Sequence, residues 1–137
     1  MDFLPSWPPG TAAVLCVSGP HAIPVSTAIR AGDRRVLLAL GGKRETLRRL
    51  REEGPSAALC VMAEGLAFTA KGQAAVIREG VEAAPALVVV ELAVREVVDH
   101  LADGRTEMQG PPAWRWLDQK AADAEPLIRA ELEALAG

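Results

Sequence analysis

A chain of 137 residues, half of them apolar, is long enough for one domain with a buried core. Its net charge of −3, from 15 basic and 18 acidic side chains, provides no basic field of the kind that holds nucleic acid. No apolar run approaches the ~20 residues of a membrane-crossing helix, and the opening stretch, with Asp2, Pro5, Pro8 and Pro9, lacks the basic and apolar regions of a signal peptide.

In chain order, Met1–Thr11 reads as an irregular arm, with Phe3, Leu4 and Trp7 as anchors onto the body. Ala12–Ser18 is a buried strand ended by Gly19-Pro20. His21–Ile29 is a second strand, which Pro24 confines to a free edge or a bulge. Arg30–Asp33 turns as a hairpin into Arg34–Leu40, an apolar run of strand length. Gly41-Gly42 then ends the strand, on the argument that only glycine takes a positive φ without strain. Helical spacing follows over about 43–53, with Leu47 and Leu50 on one side and Arg44, Arg48, Arg49 and Arg51 around the other, and Gly54-Pro55 stops it.

Ser56–Ala63 is again a buried strand, and Glu64-Gly65 turns it into Leu66–Arg78, where Gly72 predicts a bend. Glu79–Ala84 is a turn or one helical turn, and Ala86–Val98 the last long strand. His100–Pro112 is loop with room for one short strand. Trp114 and Trp116 alternate in an extended segment and so face opposite sides of it. Gln119–Ala136 has helical spacing at Ala124, Leu127, Ile128, Leu132 and Leu135, and Pro126 predicts a restart near Glu125. Residues 1–137 thus form a single domain, mainly β with minor α: an antiparallel barrel with a short inserted helix, an N-terminal arm over 1–11 and a C-terminal helix over 118–137.

Protein-borne acid–base chemistry has little to work with. Cys16 and Cys60 lie in apolar strands without CxxC spacing, as buried thiols in a reducing cytoplasm do. His21 and His100 are too isolated for a metal centre and read as exposed polar residues. There is no GxSxG elbow, no P-loop spacing and no carboxylate pair. The stretch Arg34–Leu50 is more informative. A strand, a Gly-Gly turn and a helix start with Lys43, Arg44 and Thr46 can hold a phosphate on free N–H groups, the helix dipole and two cations. The same residues equally describe a plain strand-to-helix connection with a solvated basic face. An anion cradle with few acid–base groups points to a cofactor that brings its own chemistry.

The order HAIPVSTAIRAGDRRVLLAL, GGKRETLRRL, PSAALCV and FTAKGQAAVI resembles the pyridoxamine 5′-phosphate oxidase-like proteins, the flavin-binding split barrels, from about Thr11 to the last helix. The resemblance implies a six-stranded antiparallel split barrel that dimerises with itself and binds one FMN at each side of the interface, for oxidoreductase work on a small molecule. Related small barrels use a deazaflavin instead. By the same resemblance Lys43 and Arg44 contact the flavin phosphate and Thr46 adds a hydroxyl. Val25, Ser26 and Thr27 meet the isoalloxazine edge, and Leu38 to Leu40 run beneath the ring. Lys71 and Gln73 reach the ring or ribityl chain, and Trp114 or Trp116 covers the flavin from the second subunit.

Each of these has a plainer reading: Ser26 and Thr27 as strand residues, Lys71 as an edge guard, one tryptophan as a core or interface anchor. The chain also departs from the oxidase proper. Pro24-Val25 and Ala39-Leu40 stand where basic residues begin and end its flavin-facing strand, and only Trp114-Arg115-Trp116 represents its C-terminal substrate signature.

Overall fold

The structure, a computed structural model, describes residues 1–110 and 112–137; Pro111, half of the proline pair assigned to the loop, lies outside the described residues. The elements are β1 (Ala13–Val17), β2 (His21–Val25), β3 (Ile29–Gly32), β4 (Arg35–Gly41), α1 (Glu45–Glu52), β5 (Ser56–Ala63), β6 (Leu66–Val81), β7 (Ala84–Asp99) and α2 (Gln119–Ala136). The strands form one antiparallel sheet of seven in the order β2-β1-β5-β6-β7-β4-β3.

The expected strand His21–Ile29 ends at Val25, and most of the expected hairpin turn, Arg30 to Gly32, is instead a strand that begins at Ile29; this accounts for seven where six were expected. β2 pairs with β1 at one edge of the sheet and β3 with β4 at the other, with only Ser26, Thr27 and Ala28 between them. Three residues span about 10 Å at most, so the two edges must lie side by side. The sheet therefore curls nearly into a barrel, without ladder bonds to close it. Thr27 bridges the gap: its hydroxyl donates to the Ala39 carbonyl (3.1 Å) and accepts from the Ala39 N–H (3.0 Å). Pro24 sits on an edge strand, as its missing N–H requires.

Gly72 bends β6 as its sequence position predicted. The register with β7 slips there, and a Cβ on Gly72 would lie 1.9 Å from the Ala93 carbonyl oxygen. The Gly41-Gly42 turn is glycine for a different reason from the expected one, because neither residue has a positive φ. Close approach decides instead. The Gly42 N–H donates to Ala86 O at 2.8 Å, and a Cβ there would come within 3.2 Å of the same oxygen.

Alternation along the strands fills the barrel with Leu15, Val36, Leu38, Leu59, Val61, Phe68, Val90 and Leu92. Trp7 packs on Phe68 and donates its indole N–H to Ala28 O at 2.9 Å, and Leu4 is buried beside it. Phe3, the third expected anchor, is exposed. α1 sends Leu47 and Leu50 into the barrel core. α2 lies outside, where Ile128 and Leu132 cover Ile29, Leu37, Ala39, Val81 and Val89 of the sheet. Pro126 does not restart this helix, which runs unbroken through it. The proline is exposed, so the carbonyl it deprives of a partner can turn to water.

Candidate functional site

β4 is the floor of the site. Its side chains alternate, Leu38 and Leu40 entering the barrel core and Leu37 and Ala39 facing α2. Where β4 leaves the sheet, Gly41 to Arg44 fold into a tight turn, the Arg44 N–H donating to Gly41 O at 3.1 Å. Arg44 is the N-cap of α1 and no side chain caps the helix. Among the described residues the N–H groups of Lys43 and Glu45 have no acceptor, so the turn presents donors and two cationic side chains together.

Two cavities meet at this turn. The wider, about 780 Å³, lies between the end of β4, the start of β7, the β2–β3 crossing, α2 and the segment before it. Ala39, Leu40, Leu87, Trp114, Trp116 and Ile128 make its walls largely apolar. The narrower, about 710 Å³, is lined by Gly41, Gly42, Lys43, Arg44, Glu79 and Gly80 among others. Gly41, Arg44, Pro85 and Ala86 border both, so the wider chamber adjoins a glycine-walled one with Arg44 at the junction.

The expected site residues divide between these places. Val25, Ser26, Thr27, Leu40, Arg44 and Trp116 line the wider cavity with Trp114, and Lys43 lines the narrower one. Leu38 stays in the barrel core. Thr27 spends its hydroxyl on both polar atoms of Ala39. Thr46 is fully buried, its hydroxyl 3.1 Å from His21 Nε2, and borders neither cavity. Lys71 and Gln73 lie on an exposed face of β6 away from both cavities, Lys71 3.7 Å from Glu96. Trp114 and Trp116 do not face opposite sides. They meet edge to face at 5.5 Å and both border the cavity, because their segment is not a strand.

The Trp114 indole N–H donates to Gly10 O at 3.0 Å, tying this wall to the N-terminal arm. Trp116 donates to Glu125, a residue that sequence reasoning missed. Glu125 is 3 % exposed and accepts from Ser26 Oγ at 2.7 Å, with Arg129 Nη1 at 3.2 Å. A signal was present: Glu125 falls on the helix stripe of Ala121, Ala124, Ile128 and Leu132, where a charged side chain has to be partnered.

Neither histidine borders a cavity; His100 Nε2 lies 2.7 Å from Thr69 Oγ1. Both cysteines are free, and among the described residues no three potential ligands gather for a metal. No described helix is long and apolar enough to cross a membrane. The rest of the basic face of α1 is paired with carboxylates, Arg48 and Arg49 locally and Arg51 with Glu79 of β6. Arg48, held between Glu45 and Glu52, has its guanidinium pKa raised by those carboxylates, and its hydrogen bond in turn lowers the Glu45 pKa.

Compared by sequence, the chain matches no family profile and no curated protein. Compared by structure, it is similar to a candidate pyridoxamine 5′-phosphate oxidase from Lactobacillus delbrueckii, with a TM-score of 0.53 and 17 % identity over 64 % of this chain and 83 % of that one. General stress protein 26 of Bacillus anthracis gives a TM-score of 0.52 at 12 % identity, covering 66 % of this chain and 84 % of that one. An FMN-binding protein from Syntrophomonas wolfei gives 0.50 at 10 % identity, covering 68 % and 78 %. At these identities the likeness establishes the fold, which is the one the sequence resemblance implied.

Proposed function

We propose that this chain is a flavin-binding split barrel of the pyridoxamine 5′-phosphate oxidase-like family, which binds FMN and serves oxidoreduction of a small molecule. The observation that carries the reading is the pair of joined cavities: an apolar chamber with two tryptophans, opening at Arg44 onto a glycine turn with Lys43. A planar ring with a phosphate on a flexible tail needs that combination. The fit is supported by the N–H groups of Lys43 and Glu45, which have no acceptor among the described residues, and by the absence of a side-chain cap on α1.

In this reading Lys43 and Arg44 hold the phosphate, while Ala39, Leu40 and Val25 support the ring and Trp116 shields it from water. The bound flavin supplies the chemistry by taking up and releasing two electrons with a proton. The cavity's own ionisable residues (Arg44, Arg115, Asp118, Lys120 and Glu125, with no histidine) suit a scaffold that orients the cofactor and excludes solvent.

The reading includes a homodimer in a reducing compartment such as the cytoplasm. Leu117, Phe3 and Leu127 are exposed, and the outer face of β1 and β5, with Val14, Cys16, Ala58, Cys60 and Met62, is only half buried. By the family resemblance the cofactor would be shared between the two copies. Sedimentation at micromolar concentration is expected to give a dimer, and a monomer contradicts a shared site.

The visible spectrum of freshly purified protein is the first test, with flavin bands expected and FMN identified by mass after denaturation. A mass matching a deazaflavin would keep the site and change the cofactor. Bleaching by NADH or NADPH followed by reoxidation in air supports turnover. A flavin that stays oxidised assigns the barrel to binding without turnover.

A further inference from the structure

Glu125 is the buried carboxylate of the wider cavity's wall, and its hydrogen bonds leave a particular remainder. Oε1 accepts from Ser26 Oγ at 2.7 Å and faces Arg129 Nη1 at 3.2 Å; Oε2 accepts from the Trp116 indole. A carboxylate has about four acceptor directions, so one remains, on Oε2. Ser26 has given its only hydroxyl proton to Glu125 and can offer nothing but lone pairs to anything else. Its neighbour Thr27 is spent on Ala39. The side chains of Ser26 and Glu125 therefore offer this wall acceptors and no free donor of their own. Buried acceptors of this kind are costly to strip of water unless the incoming molecule brings N–H groups to them.

We infer that Ser26 and Glu125 form a subsite that reads an N–H donor on the ligand's ring, and this rests on the flavin reading above. Thr27 stands beside Ala39 on one side of β4, while Ala84 to Leu87 of β7 flank its other side, and Lys43 with Arg44 lies beyond its end. With the phosphate at Lys43 and Arg44, the ring edge turned to the crossing is the one that can answer acceptors. The dimethylbenzene edge of a flavin has no donor; the pyrimidine edge carries the imide N–H. Glu125 thus selects an imide, amide or amine at this position and rejects a ligand that presents a carbonyl or a methyl group there. Ser26 in this arrangement accepts from the ring and does not donate to it.

The test changes the ligand before it changes the protein. FMN and FMN methylated at the imide nitrogen are titrated against the full chain by flavin fluorescence. The parent is expected to bind FMN at least about tenfold more tightly, the scale of one charge-assisted hydrogen bond. Glu125→Gln keeps the bulk and an oxygen for Ser26, but puts an NH₂ donor at the Oε2 position that would accept from the ring. It is expected to weaken FMN about tenfold and leave the methylated compound within about threefold of its parental affinity. Ser26→Ala, which keeps the Glu125–Arg129 pair, repeats the pattern with a smaller loss. Equal affinity of the parent for both compounds, or equal weakening of both by Glu125→Gln, overturns the subsite and leaves the flavin reading standing. Failure of the parent to bind FMN overturns the flavin reading and the subsite with it.

Discussion

The barrel interior and the layer outside it are built on different terms. Inside, buried residues from β1, β2, β4, β5, β6, β7 and α1 form one continuous cluster without a charged member. Outside, α2 covers the sheet with a much smaller cluster, and two carboxylates anchor it. Glu125 joins it to Ser26 and Trp116, and Glu131 accepts from the N–H groups of Glu82 and Ala83, each at 2.9 Å. Stability resides in the first region. The second holds the cavity, and it can open locally because fewer apolar contacts oppose opening.

Phe68→Ala is expected to have the largest effect. The ring is fully buried at the centre of the barrel, and its loss should cost about 3–5 kcal/mol in denaturant unfolding. Leu132→Ala removes an equally buried side chain from the outer cluster, at about 2–4 kcal/mol. Its signature differs: hydrogen exchange should rise in α2 while β5 and β6 stay protected. Exchange rising uniformly would merge the two regions into one cooperative unit. Glu131→Ala removes both anchors of the β6–β7 turn and should cost about 1–2 kcal/mol, again read as faster exchange in α2.

Acid titration should give the smallest effect. The Glu45 pKa is lowered in the folded protein, chiefly by its hydrogen bond to Arg48. Its contribution is therefore complete above the unfolded glutamate pKa and fades as pH falls through the lowered value. Both partners are solvent-exposed, so Arg48→Ala should weaken this acid dependence, Arg49 keeping the remainder, with little change in melting temperature at pH 7.

The parts of this comparison were unequally legible in the sequence. Barrel strands could be read because alternation and turn residues act locally: Ser56–Ala63 is a strand from end to end, and Gly72 bends where expected. The crossing at Ser26–Ala28 could not. His21–Ile29 reads as one strand and Arg30–Asp33 as its turn, and only pairing with β1 and then with β4 ends one strand at Val25 and starts the next at Ile29. The site was half legible for the same reason. The Gly41–Arg44 turn is contiguous in sequence, whereas Glu125 meets Ser26 from 99 residues away. Trp114 and Trp116 misled because alternation was assumed for a segment that is not a strand. Pro126 misled because its cost depends on exposure, which the sequence does not carry.

The most direct test of the account is a pair of fluorescence titrations, with FMN and with riboflavin, on the parent and on a Lys43→Ala, Arg44→Ala double variant. Each charge-assisted phosphate contact is worth about 1.5–3 kcal/mol, so the parent should prefer FMN to riboflavin at least about tenfold. The double variant should bind the two alike. A parent that does not distinguish them, or a double variant that keeps the preference, would contradict a phosphate seat at the end of β4.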